Sequence, residues 1–232
     1  MEKHISSQFD ADLTNVSSRV LELGGLVESQ TRHAVYSLAQ FNLEVANQVI
    51  LTEKQVNMLE VEIDAELASI IARRQPTARD LRLLMAISKI TGNLERAGDE
   101  AERIARMVKK ILDQGSPRNL PSSDLRIASD MASDLLRKAL DAFARLDVST
   151  ALTILKEDDL IDAEFNGFVR KLVTYMMEDP RTISASLDLL FLAKAIERIG
   201  DHAKNIAEFV IYVVKGADVR HTALTEIEKA VQ

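Results

Sequence analysis

Hydrophobic residues recur at intervals of three and four along most of this chain. Ile90, Leu94, Ala97, Ala101, Ile104, Ala105 and Val108 fall on one stripe, the pattern of a helix that buries a single face. A matching stripe, Ile196, Ile199, Ala203, Ile206 and Val210, lies about a hundred residues later. Punctuation divides the chain into six long helical segments in two sets of three. Gly115, Pro117 and Pro121, followed by a Ser-Asp start signal at Ser123-Asp124, mark a linker at 116–123 between a first bundle, 1–115, and a second, 124–232. Arg74-Gln75-Pro76-Thr77 breaks the first set, and Pro180, after Glu178-Asp179, breaks the second; carboxylates there satisfy the free amides of a new helix start. Two softer turns are placed at 42–48 and 146–150, where neither Pro nor Gly stands. Strand-type alternation is absent beyond a few residues. The predicted fold class is all-α, with two tandem, sequence-related three-helix bundles.

The two sets are copies of one another. Leu94-Glu95-Arg96-Ala97-Gly98-Asp99-Glu100-Ala101 recurs as Ile196-Glu197-Arg198-Ile199-Gly200-Asp201-His202-Ala203, displaced by 102 positions. Ile63-Asp64-Ala65-Glu66 recurs as Ile161-Asp162-Ala163-Glu164, displaced by 98. A period near a hundred residues is too long for a solenoid unit and fits two copies of one domain. In each copy a Glu or Asp is followed by an acid four residues on, which stacks both carboxylates on one helix flank. They repel there by roughly 0.2–0.5 kcal/mol unless a cation lies between them. The pairs are Glu60/Asp64 with Glu95/Asp99, and Asp158/Asp162 with Glu197/Asp201.

Three readings of these pairs stand side by side. Most acidic pairs at this spacing are solvated faces. General acid/base catalysis is a second reading, weakened by the lack of a nucleophile or a phosphate-cradling Gly-rich loop. The third is metal binding by oxygen ligands, which suits hard cations, and the duplication raises its weight. A di-iron carboxylate bundle is disfavoured because no Glu-x-x-His is present. His202, beside Asp201, reads as a surface residue and not as a ligand. Four such pairs cost together about 1–2 kcal/mol, so the metal-free chain is expected to fold, with no cofactor required for folding.

Composition narrows the classes further. Among 232 residues 47% are apolar, 4% are aromatic and none is Cys or Trp. Helix formers dominate, and a reducing cytoplasm is the simplest home for a chain without cysteine. A net charge of −7 argues against wrapping nucleic acid. The amino-terminal residues lack a signal-type apolar core, and no run reaches the ~20 apolar residues a bilayer needs, so direct membrane insertion is not expected. Methionines such as Met85, Met107, Met176 and Met177 are read as core filler, and Phe165 and Phe168 as bundle interior.

Arg73-Arg74-Gln75-Pro76-Thr77-Ala78-Arg79-Asp80-Leu81-Arg82, followed by the Leu94 block, and the second block continued as Lys204-Asn205-Ile206-Ala207-Glu208, resemble the PhoU family, regulators associated with the phosphate-specific transport system. The resemblance spans nearly the whole chain. It implies two three-helix bundles in a cytoplasmic, usually dimeric protein without catalytic turnover, recruited peripherally to membrane complexes. It also implies a negative regulator of the phosphate-starvation (Pho) regulon. Such a regulator couples the ATP-binding subunit of the phosphate importer to the sensor histidine kinase, keeps the response off when phosphate is plentiful, and modulates phosphate uptake. The family's acidic metal motifs correspond here to Glu60, Asp64, Glu95, Asp99, Asp158, Asp162, Glu197 and Asp201, with Mg, Mn, Fe or Zn as candidate ions. Arg79, Asp80 and Arg82, opening the third helix, are candidates for partner contact, against the plain reading of a solvated first turn. The alternative to the regulator is a metal-binding or metal-storing helical bundle, including a carboxylate-bridged iron protein.

Overall fold

The computed structural model describes residues 7–113 and 122–231. Six long helices carry the fold: α1 (Ser7–Gln40), α2 (Leu43–Arg74), α3 (Ala78–Asp113), α4 (Leu125–Arg145), α5 (Val148–Glu178) and α6 (Ile183–Lys215). A short α7 (Leu224–Val231), not expected from the sequence, follows, and one-turn 3-10 segments at Ser122–Asp124 and Pro180–Thr182 lead into α4 and α6. The described residues contain no strand. Most of the expected linker, 116–123, lies outside the described residues.

Local chemistry sets the breaks. Pro76 and Pro180 supply no amide hydrogen and cannot continue a helix, so α2 ends at Arg74 and α5 at Glu178. Asp179 caps the restart, its Oδ1 accepting from the Arg181 amide at 3.0 Å. The soft turn in the first set falls at Phe41-Asn42, slightly before the expected 42–48. Asn42 Oδ1 accepts from the Val45 amide at 3.0 Å, so an Asx cap does the work that Pro or Gly does elsewhere. Its counterpart is Asp147, which accepts from the amides of Ser149 and Thr150. Phe41 and Leu146 just before these caps adopt left-handed backbones, with φ of 48° and 51°.

Each set of three packs as an antiparallel bundle, and the two bundles share one hydrophobic core. The most extensive helix pairing joins α3 to α6. These central helices run antiparallel: Arg82 meets Gly216, Asn93 meets Asn205, Glu100 meets Arg198, and Lys110 meets Asp188. On α3, Leu84, Ile87, Ile90, Leu94 and Ile104 are all fully buried, each contributing roughly 1.5–3 kcal/mol of apolar transfer energy. Phe168 is buried and Phe165 half-buried, as expected. Met107 and Met176 pack against the core, but Met85 and Met177 are exposed, because their helix positions point away from the central pair. No helix among the described residues is long and apolar enough to cross a membrane.

Candidate functional site

Two glycines decide how the acidic residues meet. A Cβ on Gly200 would stand 2.9 Å from Ile161 Cδ1 and 3.4 Å from Asp158 Oδ1, so the missing side chain lets α5 approach α6. Asp158 is thereby buried, 2% exposed, and ion-pairs with Lys204 at 2.8 Å. Burial pushes its carboxyl above the usual range despite that lysine, with Asp162 and Asp159 adding repulsion. Asp201 is raised to about 6 by burial and by Glu197, Asp158 and Asp162. Glu197 pairs with Lys194, while its other oxygen is buried without a partner. All four acids predicted in the second repeat therefore converge, with Lys194 and Lys204 among them.

Gly98 is the equivalent position in the first repeat. A Cβ there would lie 3.0 Å from Glu53 Oε2, 3.0 Å from Gln30 Oε1 and 3.3 Å from Val56. Glu53 and Val56 thus take the places of Asp158 and Ile161. The register between α2 and α5 is 105 positions, one heptad beyond the 98 read from the Ile-Asp-Ala-Glu match. By position, the counterpart of Asp158/Asp162 is Glu53/Asn57, not Glu60/Asp64.

Sequence reading missed Glu53. It is 5% exposed, accepts from Gln30 Nε2 at 2.7 Å, and has one oxygen buried without a partner. Burial raises it to about 7, assisted by Asp99, Glu102 and Glu95. Matching Glu53-Lys54-Gln55-Val56-Asn57 to Asp158-Asp159-Leu160-Ile161-Asp162 would have found it. Glu60 and Glu95 are each raised by burial first, then by acids that include each other or Asp99, so these three also share a flank. Asp64 is the exposed edge of the same flank: its charge adds to the raising of Glu60, and it accepts from the Ser88 hydroxyl of α3 at 3.3 Å.

The two sets differ in neutralisation. Lysines bridge the second, whereas Glu53 has only the neutral Gln30. Oxygen donors alone suit a hard cation, and Glu53 and Glu197 each keep one buried oxygen whose lone pairs have no partner. As folded, no group of three or more His, Cys, Asp or Glu side chains among the described residues is arranged to hold a metal ion.

Of the candidates for partner contact, Arg79 is exposed. Arg82 is turned inward: its guanidinium carbon lies 3.5 Å from where a Gly216 Cβ would be, against the carboxyl end of α6, and its Nε is buried without a partner. His202 also differs from its surface reading. It sits half-buried at the α3–α6 contact, 3.2 Å from Asn93 Oδ1, and burial drops it to about 4, with Arg96 and Arg198 opposing its charge.

Two sequence-related three-helix bundles that share one core, each with an acidic flank, define the class to which the chain belongs. The PhoU domain matches residues 20–108 and 125–210, once in each repeat, and the chain belongs to that family. It is 50% identical over 222 residues to a Burkholderia sp protein named phosphate-specific transport system accessory protein PhoU homolog, covering 95% of this chain and 94% of that one. To the Escherichia coli (strain K12) phosphate-specific transport system accessory protein PhoU it is 45% identical over 230 residues, 99% of this chain and 94% of the relative. The crystal structure of PhoU from Pseudomonas aeruginosa superposes with a TM-score of 0.87 at 44% identity, covering 90% of this chain and all of that one.

Proposed function

We propose that this chain is an accessory protein of a phosphate-specific transport system and a negative regulator of the phosphate-starvation response. The single observation that carries this reading is family membership along the full length, with both repeats matched and relatives of 45–50% identity bearing that name. In this reading the chain works in the cytoplasm, recruited peripherally to membrane complexes, and docks on the ATP-binding subunit of the importer and on the sensor histidine kinase. It does so as a homodimer, with residues 1–115 and 124–232 as its two units. Arg79 and Asp80 contribute at the exposed tip of α3, and Arg82 supports that tip from inside.

The acidic flanks take hard divalent or iron-type cations. In the second repeat the ligands are Asp158, Asp162, Glu197 and Asp201. In the first they are Glu95 and Asp99 with Glu53, while Glu60 and Asp64 extend the flank. When bound, the ion supplies positive charge that relieves the mutual repulsion of these carboxylates and fixes the shape of the docking face. Binding does not drive folding, because the carboxylate repulsion it relieves amounts to about 1–2 kcal/mol, small beside the stability of an ordinary domain.

A reporter under a phosphate-starvation promoter tests the reading, in a strain lacking its own PhoU-family protein and grown with ample phosphate. Expression of this chain is expected to restore silencing. Continued high expression with abundant soluble protein would overturn the regulatory role.

A further inference from the structure

The shift of 102 positions that relates the repeats also relates the two sides of the α3–α6 contact. It carries the pair Glu100–Arg198 onto His202–Arg96. Arg198 therefore has a buried carboxylate to hold, at 3.0 Å, whereas Arg96 faces an imidazole in the equivalent place. That imidazole carries no negative charge in either protonation state, so it offers Arg96 no counter-charge. Its tautomer follows from the neighbouring hydrogen bonds. Asn93 Nδ2 donates to the Lys89 carbonyl at 2.8 Å, which leaves Asn93 Oδ1 to accept from Asn205 Nδ2 and from His202 Nδ1. Arg96 itself makes no hydrogen bond and no ion pair among the described residues; Glu60 and Glu95 feel its charge only at a distance.

This unmatched guanidinium opens onto a cleft of about 620 Å³ between the repeats, within the size range of small-ligand sites. Arg198, Lys204 and Arg220 also line it, paired with Glu100, Asp158 and Asp218; Arg198 uses one of its terminal nitrogens on Glu100 and keeps its other N–H donors for a ligand. Four acids line it as well: Asp99, Glu100, Asp201 and Glu208. Glu100 is engaged by Arg103 and Arg198, which leaves Asp99, Asp201 and Glu208; of these, Asp99 and Asp201 each stand three positions, one helical turn, from Arg96 and Arg198. A lining of this kind suits a ligand that both accepts and donates hydrogen bonds. Guanidinium groups only donate and ionised carboxylates only accept. Sulfate, fully ionised, can satisfy only the first; a protonated phosphoryl group such as hydrogenphosphate satisfies both.

We propose that in the metal-free chain the cleft between the repeats binds a phosphoryl anion, held by Arg96 of the first repeat and Arg198 of the second, with Asp99 or Asp201 accepting a hydrogen bond from its P–OH group. The ligand thus spans the two repeats. The proposal goes beyond the accessory role and does not depend on it.

The test is calorimetric titration of the metal-free full chain at pH 7 with inorganic phosphate, pyrophosphate, ATP and sulfate. At least one phosphoryl probe is expected to bind saturably and more tightly than sulfate. Preference for phosphate would indicate a free inorganic ligand, and preference for ATP a nucleotide. Arg96→Gln is expected to weaken binding about tenfold, the loss of one charge-assisted contact, without moving the melting temperature, since Arg96 is exposed and holds no partner. Arg96→Lys should fall between, keeping charge but losing the fork. Arg106→Gln, whose guanidinium pairs with Glu102, should bind as wild type. No saturable binding by any phosphoryl probe, sulfate bound as tightly, or wild-type affinity in Arg96→Gln would overturn the proposal. Because the readout is direct, a negative result leaves the reporter experiment unaffected, and a failed reporter leaves the cleft unaffected.

Discussion

Replacing Glu53 by Gln removes a charge that the fold holds at high cost. The side chain is 5% exposed; one oxygen accepts from Gln30 at 2.7 Å and the other has no partner. Burial and three neighbouring acids raise its pKa from 4.5 to about 7. An acid raised in the folded state binds more protons folded than unfolded, so its contribution to stability falls as pH rises from the unfolded value through the folded one. At about 1.4 kcal/mol per unit, that gap costs roughly 3 kcal/mol once pH is above the folded value, and nothing below the unfolded one. The amide keeps the Gln30 contact but leaves an N–H group without an acceptor, at about 1 kcal/mol. Metal-free Glu53→Gln is therefore expected to be about 2 kcal/mol more stable than wild type at pH 8 and slightly less stable at pH 5. Urea unfolding of the chelated full chain at pH 5, 6, 7 and 8 reads this as midpoints that cross between the extremes. A residual slope remains in the variant, from Asp201 and Glu208, which burial raises to about 6 and about 7. Manganese at pH 8 should stabilise wild type more than the variant, the ion taking the place of the missing proton. Parallel pH curves, or a variant less stable than wild type at pH 8, would refute the assignment of Glu53 as a buried, uncompensated acid.

Further outcomes follow from the same geometry. Gly98→Ala gains about 1 kcal/mol of helix propensity but drives a methyl to 3.0 Å from Glu53 and Gln30, an overpacking cost of about 1–3 kcal/mol. Its melting temperature should drop, and a rise would show that α2 and α3 are not in tight contact there. Lys204→Met strips the only cation among the described residues that is bonded to Asp158 and should cost about 3 kcal/mol in urea at pH 8. The loss should shrink toward pH 5 as Asp158, already raised by burial, takes a proton; a pH-independent loss would contradict this. Arg198→Ala leaves buried Glu100 with Arg103 alone and should cost about 1–2 kcal/mol, whereas Arg96→Ala should stay within about 0.5 kcal/mol. Equal losses by calorimetry would dismiss the asymmetry between the repeats.

Much of the fold is written in local chemistry. The stripes from Ile90 to Val108 and from Ile196 to Val210, the prolines at 76 and 180, and the 102-residue repeat together specify two three-helix sets. Those signals act within a few turns of one helix, where sequence spacing is spatial distance. The flank position of Glu95, Asp99, Glu197 and Asp201 follows in the same way, from 100° per residue.

Tertiary structure alone decided which acids on α2 face them. Shifting a helix by seven residues turns it by only about 20°, so Glu53 and Glu60 present nearly the same face, and the Ile-Asp-Ala-Glu match could not choose between registers. The choice came from close approach, Gly98 against Glu53 and Val56 as Gly200 is against Asp158 and Ile161. The antiparallel pairing of α3 with α6 was equally beyond reach, since no spacing along one helix encodes the direction of another. That pairing buries His202 beside Asn93, turns Arg82 onto Gly216, and sets Arg96 opposite an imidazole where its twin has a carboxylate. Helical periodicity fixes which side of each helix is apolar; contact between helices fixes which charges on the polar sides find partners.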